Sequence, residues 1–304
     1  MMIDYQPIAL SRKAEYDRLL ALGARPGCEY TFANLYLWGR QRTAVVDGYL
    51  TIFSQFSRRS VYPYPVGRGD IRPVLEAIIA DAQARGVACR LTGMYRDECD
   101  ALQAMFPGKF RIHCDRSGFD YVYSIDALAY LKGRKLQKKR NHLRRFQAAH
   151  PRCAILPIQE GNALRAWEMA EKWYARRLAQ NPHQDFHMEQ AAIRRALQHR
   201  KTLGIEGLMM EDDGEIIAFT LGSPLSSDTF DVHFEKAWAE IDGAYAAINQ
   251  AFAQYIRELY PHIRYLNRED DMGIDGLRQA KLSYCPEFLV EKYWACLLED
   301  NCDY

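Results

Sequence analysis

Residues 267–286, NREDDMGIDGLRQAKLSYCP, set four acids, three bases and a tyrosine directly after the apolar run IRYL. Ionised groups at a strand end are costly unless they are paired or put to use. The stretch is therefore either a buried ion-pair network or a binding cleft. Upstream, TFDVHFEKA (229–237) alternates polar and apolar residues before Gly243. Side chains two apart share one face of a strand, so Asp231, His233 and Glu235 project together. Three ionisable groups on one face suit a site better than a core.

Working outward, the 304 residues are enough for two domains, each with its own core. The charge is nearly balanced, 40 basic against 39 acidic residues, so no global field marks nucleic acid or anionic membrane as a partner. Eight cysteines show no C-x-x-C pair and no metal-ligand rhythm, which reads as reduced thiols. His183 and His187 stand four apart, but Pro182 argues for a loop and no third ligand follows, so no metal site is expected. No signal peptide is visible, and no run approaches the roughly 20 apolar residues that span a bilayer. The expectation is a cytoplasmic protein with no integral membrane association.

Two halves, 1–124 and 125–304, read in a similar order of elements. In the first, TAVVDGYLTIF is a hairpin around Asp47-Gly48. It is followed by VGRGD, a glycine turn around Arg68 that is either phosphate-friendly or an ordinary turn. Asp70 caps the next helix and Pro73 fits its first turn. In the second, GLMMEDDGEIIAFTLG is a hairpin around Asp213-Gly214, and GAYAAINQAFAQYIREL is a helix after a glycine turn. Trp167, Trp173 and Tyr174 recur at helical spacing and read as core.

Between the halves, eight Lys or Arg and no acid occur from Lys132 to Arg145. A helix from Arg134 onward puts Leu136, Leu143 and Phe146 on one stripe that also takes in Lys139, so one lysine points inward. This is either a solvated basic helix with a snorkelling lysine or an anion site of Lys138, Lys139, Arg140 and Arg144.

Together LKGRKLQKKRNHLRRF, VHFEKA, GAYAAINQ and NREDDMGIDGLRQAKLSY resemble the phosphatidylglycerol lysyltransferase C-terminal domain family. The resemblance extends to FANLYLW and DYVYS in the first half. It implies an α/β (α+β) fold of two tandem acyl-CoA N-acyltransferase-like domains of the GCN5-related type, each a mixed sheet flanked by helices. That fold is similar to the Fem peptidyltransferases, which draw amino acids from aminoacyl-tRNA. The implied activity is transfer of an acyl or aminoacyl group onto an amine acceptor, with acyl-CoA or aminoacyl-tRNA as co-substrate and no tightly bound cofactor. The alternative is a non-catalytic small-molecule or peptide binding protein on the same fold. The lipid-modifying enzymes carry a membrane-embedded segment ahead of this domain, and no such segment occurs here, so lipid modification is not expected.

In that architecture the donor lies where two parallel strands splay, with its phosphates at the N-terminus of the next helix. Here the strands are TFDVHFEKA and IRYLN, and Gly243 gives the close backbone approach. Glu240 and Asp242 in EIDGAY would repel a pyrophosphate, which weakens the coenzyme A reading. Acyl transfer needs a base, oxyanion donors and an acid. Glu235 is the first candidate base, Asp271 the second and Tyr284 the acid, with backbone N–H groups near Lys236 facing the oxyanion. His233, Lys236, Gly243, Tyr245, Asn249, Asn267, Arg268, Asp270 and Lys281 complete the substrate-binding set. An inward group of Arg268, Asp270 and Lys281 would suit a substrate with both amine and carboxylate. The structural alternative is an ion pair from Glu235 to Arg268 or Lys281 that ties two strands together.

Overall fold

A computed structural model describes residues 2–56 and 59–300. The chain's first long hairpin joins β1 (Gln41–Val46) to β2 (Tyr49–Phe56). It turns at Asp47 and Gly48, with φ of 48° and 80°. Two successive left-handed residues give the tight turn whose twist matches the flanking strands. β3 (Arg59–Pro63) leads to helix α1 (Arg72–Arg85), where Asp70 accepts from the Arg72 N–H at 3.0 Å and Pro73 lies in the first turn, as the sequence predicts. β4 (Arg90–Met94) returns parallel to β3, and α2 (Arg96–Met105) and β5 (Phe110–Cys114) follow.

The same order then recurs around a second sheet. β6 (Asp120–Ser124), α3 (Ile125–Tyr130), the basic helix α4 (Gln137–Ala149), β7 (Ala154–Pro157), α5 (Ala163–Gln180) and α6 (His187–Gln198) open it. β8 (Glu206–Asp212) and β9 (Glu215–Pro224) form a hairpin with the same turn chemistry, Asp213 and Gly214 at φ 48° and 85°. β10 (Thr229–Ala237), α7 (Ala244–Leu259), β11 (Tyr265–Asn267), α8 (Asp275–Leu282) and β12 (Phe288–Val290) complete it. The strand order is β12-β6-β11-β10-β9-β8-β7, with β10 and β11 parallel.

The last strand, β13 (Tyr293–Leu297), goes back to the first sheet and pairs with both β4 and β5. That sheet runs Gln6–Pro7, β1, β2, β3, β4, β13, β5, with Val66–Gly67 beside β2. The compact units are therefore 1–119 with 290–304, and 120–289. A cut at 124/125 misplaces β6, which pairs with β11, and the chain's end, whose partners lie over 170 residues back in sequence.

In the first unit Leu75, Ile78, Leu91, Met94 and Leu102 form the core under α1 and α2. In the second, α7 buries Ile248, Phe252 and Ile256 at intervals of four, which is one helix face, and Phe252 meets Phe230 of β10 with ring centroids 6.0 Å apart. Each such aromatic contributes roughly 1.5–3 kcal/mol on burial. Trp173 and Tyr174 are core residues, as expected, and the Trp173 indole N–H donates to the Ala237 carbonyl at 3.1 Å. Among the described residues no helix is long and apolar enough to cross a membrane. Cys28, Cys89, Cys99, Cys114, Cys153 and Cys285 carry reduced thiols, in line with the sequence reading.

Candidate functional site

β10 and β11 pair in parallel over only three positions, Thr229 with Tyr265, Phe230 with Leu266 and Asp231 with Asn267. Beyond them β10 runs on to Ala237 against β9 alone, and the chain after β11 turns away. The sheet thus opens where the sequence concentrates charge. Asp231, His233 and Glu235 share the face of β10 that meets this turning loop, and all three are largely withdrawn from solvent.

Four predicted site residues hold the loop rather than serve it. Asn267 Oδ1 accepts from the Glu269 N–H at 2.7 Å, and its Nδ2 donates to Asp120 at 3.0 Å. Lys281, buried in α8, donates to the carbonyls of Arg268, Glu269 and Asp270. Burial pushes its ammonium down, and Arg268 adds to the effect. Asp271, the second candidate base, accepts from Arg278 at 2.8 and 3.0 Å, from Tyr121 at 2.5 Å and from the Gly273 N–H at 2.9 Å. Arg278 holds its carboxyl far below the usual carboxylate range, so it is a locked anion and no proton acceptor. Asp270 caps the same turn through the Met272 N–H at 3.2 Å, and the inward group of Arg268, Asp270 and Lys281 does not form. Spacing alone cannot separate a carboxylate that caps a loop from one poised for proton transfer.

What does converge is a cage around Arg268. Its Nη2 donates to Glu235 Oε1 at 2.8 Å, and Asn249 of α7 donates from Nδ2 to Glu235 Oε2 at 3.0 Å. The guanidinium carbon stands 4.9 Å from the Tyr284 ring centroid and 5.6 Å from that of Tyr123. Lys139 enters from α4, with Nζ 3.8 Å from the centroid of Tyr284. Such cation-to-ring contacts are worth roughly 0.5–2 kcal/mol, more where water is excluded. Burial, helped by Arg268, lowers the Lys139 ammonium to about 8. Burial raises the Tyr284 phenol to about 12, so Tyr284 stays protonated and offers its ring between two cations. Glu235, the first candidate base, is an ion-pair partner. Two polar atoms of the cage, Arg268 Nη1 and Asn249 Oδ1, have no hydrogen-bond partner among the described residues.

The glycine turn before α7 is used differently from the expectation. Gly243 has φ 84°, and a Cβ there would lie 2.4 Å from the His142 carbonyl oxygen and 2.9 Å from Phe146 Cβ. Its lack of a side chain lets α4 lie against the start of α7. Asp242 holds the contact, accepting from Arg145 at 2.7 Å with His142 Nδ1 at 2.8 Å. The start of α7, where a pyrophosphate would rest, is therefore covered by the basic helix. Lys236 points to the opposite face of β10, with Nζ 2.7 Å from Glu189 and over Trp173, and Tyr245 packs near Ala237 and Trp173. Of the predicted anion set, Arg140 donates to the carbonyls of Leu131 and Gly133, Lys139 faces inward, and Lys138 and Arg144 are exposed.

Sequence reasoning missed Tyr123, Glu269 and Ser223. Tyr123 sits in DYVYS, where alternation gives the only clue. Ser223 Oγ is 2.8 Å from His233 Nε2, and His233 Nδ1 is 3.2 Å from Asp231 and 3.5 Å from Glu269. Burial opposes a charged imidazole there, but the two carboxylates outweigh it and raise His233, while burial raises Glu269. Elsewhere on the second unit a recess of about 430 Å³ is lined by Ser124, Asp126, Arg257, Arg264, Tyr265 and Glu287, and it shares no residue with the cage.

A sequence model of the phosphatidylglycerol lysyltransferase C-terminal domain matches residues 20–296. A conserved protein of unknown function from Bacteroides thetaiotaomicron is 36% identical and superposes with a TM-score of 0.90 over 97% of this chain and all of that one. L-PGS from Bacillus licheniformis superposes with a TM-score of 0.71 at 17% identity, covering 99% of this chain and 96% of its own. FemX gives 0.63 at 12% identity, covering 97% and 98%. A tandem GNAT protein of clavulanic acid biosynthesis shares the arrangement at a TM-score of 0.52 and 12% identity, over 99% of both chains. The fold is thus the mixed α/β, tandem acyltransferase type. An uncharacterised protein of Mycoplasmoides gallisepticum is 26% identical over 182 residues, a match that spans 58% of this chain and 56% of that relative.

Proposed function

The chain belongs to the phosphatidylglycerol lysyltransferase C-terminal domain family, and from that premise we propose that it is an aminoacyltransferase. Its cage in the second unit passes an aminoacyl group from tRNA to an amine acceptor. The observation that carries this reading is the pair of unspent atoms, Arg268 Nη1 and Asn249 Oδ1. The first is a cationic donor suited to a carbonyl oxygen that becomes an oxyanion; the second is an acceptor suited to an α-amino group. The bond made is from the acceptor's nitrogen to the ester carbonyl carbon, and the bond broken is from that carbon to the ribose oxygen. Neutral Lys139 takes the proton the amine loses and returns it to the ribose oxygen, so ester and amine become amide and alcohol. An amine with a pKa near 8 suits that shuttle.

The covered start of α7 favours aminoacyl-tRNA over acyl-CoA, because the usual pyrophosphate position is taken by α4. The exposed cations Lys138 and Arg144 on that helix suit RNA phosphates. On this reading the protein works in the cytoplasm. The test is a single-turnover assay of the full chain with tRNA charged with labelled amino acids and a panel of small amines and peptides. Label is expected to move from ester to amide. Label transfer from acyl-CoA instead, with charged tRNA inert, would contradict the proposal.

A second reading, a binding protein without turnover, draws support from the neutralisation of Glu235 by Arg268 and of Asp271 by Arg278. It predicts ligand binding at the cage with no consumption of either donor.

A further inference from the structure

Beneath the cage, where β10 and β11 part, Asp231 and His233 of β10 meet Glu269 of the following loop. One ligand atom from each lies within 4.8 Å of the others. The side chains of Asp231 and His233 are 0% and 1% exposed, and that of Glu269 is 21% exposed. His233 Nδ1 is 3.2 Å from Asp231 Oδ2 and 3.5 Å from Glu269 Oε1, yet among the described residues it makes no hydrogen bond of good geometry. At 3.2 Å the distance would permit one, so the ring nitrogen is aimed between the two carboxylates rather than at either.

The other ring nitrogen explains what that aim requires. Ser223 Oγ, buried on β9, lies 2.8 Å from Nε2. A bound cation would replace the proton that the two carboxylates favour on this imidazole; Nε2–H then donates to the hydroxyl and the Nδ1 lone pair turns to the ion, an arrangement typical of a metal-ligating histidine oriented by its second nitrogen. Two carboxylates and a neutral imidazole carry two negative charges, which a divalent cation cancels. The geometry also agrees: bonds of roughly 2.0–2.1 Å in a tetrahedron place ligand atoms about 3.3–3.4 Å apart. Nδ1 stands at 3.2 and 3.5 Å from its two partners. Imidazole with carboxylates suits zinc and neighbouring first-row ions rather than magnesium.

We propose that Asp231, His233 and Glu269 bind a divalent first-row metal ion of the zinc type, with a fourth position left to water. The ion ties β10 to the loop at the point where the strands separate. Arg268 precedes Glu269 in the chain and Glu235 lies two residues beyond His233, so the ion fixes the spacing of the cage without touching substrate. The inference rests on the buried trio alone and stands whether or not the chain transfers aminoacyl groups.

The test uses the full chain loaded with Zn²⁺ and freed of excess by gel filtration, with metal counted by mass spectrometry. About one equivalent is expected in the wild type and below about 0.1 in Asp231→Asn and Glu269→Gln. Because Asp231→Asn alters a buried position, the wild type is also loaded with Co²⁺, and intense visible bands of four-coordinate cobalt are expected. EDTA treatment should lower Tm, with zinc restoring it and magnesium not. A wild type that retains less than about 0.1 equivalent of zinc and shows no cobalt bands overturns the proposal. Equal zinc in wild type and Glu269→Gln would overturn it too, since the metal would then sit elsewhere.

Discussion

Each unit of this chain builds an arginine into a cage of tyrosines beside a glutamate, and the two cages end differently. In the first unit Arg25 lies over Tyr30, Tyr95 and Tyr64 at 4.0, 4.5 and 5.6 Å. Both of its terminal nitrogens reach Glu98, and Nη2 also reaches the Gly93 carbonyl at 2.6 Å. Only Nε lacks a partner among the described residues. In the second unit Arg268 spends Nη2 on Glu235, while its Nη1 and Asn249 Oδ1 find no partner among the described residues. Their side chains are 4% and 13% exposed. The same parts make a closed structural clamp when the arginine's fork is filled by protein; the prong left over in the second unit is the one that the proposed function assigns to a ligand.

The contrast is broken most sharply by removing each arginine. Arg268→Met should cut aminoacyl transfer by about 10²–10³-fold, the usual cost of losing one oxyanion donor. Arg25→Met should leave the chemical step of the folded fraction unchanged while costing about 3 kcal/mol of stability, because Glu98 is left without its buried partner. Denaturant midpoints and single-turnover rates on both variants read the two effects separately. Reversal of the pattern would exchange the roles assigned to the cages.

Lys139 sharpens the same comparison, since its amine stands against the ring of Tyr284 in the open cage. The neutral amine is the active form, so transfer should rise about tenfold per pH unit below about 8 and level off above it. Lys139→Met should remove that limb and about 10²-fold of the rate. The groups facing this amine are Arg268, which disfavours its charge, and Glu235 and Cys285, which favour it.

Gly243→Ala tests whether the basic helix must cover α7. Its Cβ would strike the His142 carbonyl in a left-handed backbone, so a loss of about 2 kcal/mol is expected, with transfer falling as α4 shifts and carries Lys139 away. Thermal melts and rates measured together would reveal it. The smallest effect belongs to Lys138→Ala with Arg144→Ala. Stability should change by less than about 0.5 kcal/mol, while the slope of log affinity for tRNA against log salt falls by roughly 1–2.

Much of this was legible before any coordinates. The alternation in TFDVHFEKA set Asp231, His233 and Glu235 on one face, and the stripe through Leu136, Leu143 and Phe146 turned Lys139 inward, because both readings depend only on backbone period. The Asp-Gly hairpins were readable because that pair has a strong preference for the tight turn. What stayed hidden depended on partners distant in sequence. Asp271 looked like a free acid until Arg278 and Tyr121 closed on it, and Lys281 looked like a substrate contact until three carbonyls claimed it. Gly243 looked like a phosphate turn until α4 filled the space where the side chain would have been. Glu269 escaped the sequence reading because a residue at φ 55° breaks the strand alternation by which side chains are placed.

The most direct test of the open cage is the affinity of the full chain for a short RNA hairpin carrying a hydrolysis-resistant 3′-aminoacylamide, measured for wild type and Arg268→Met. The account predicts that the wild type prefers the aminoacylated hairpin to the bare one by tenfold or more, about 1.4 kcal/mol, and that Arg268→Met loses this preference while still binding the bare RNA. Equal binding of the two RNAs by the wild type, or an unchanged preference in Arg268→Met, would contradict it.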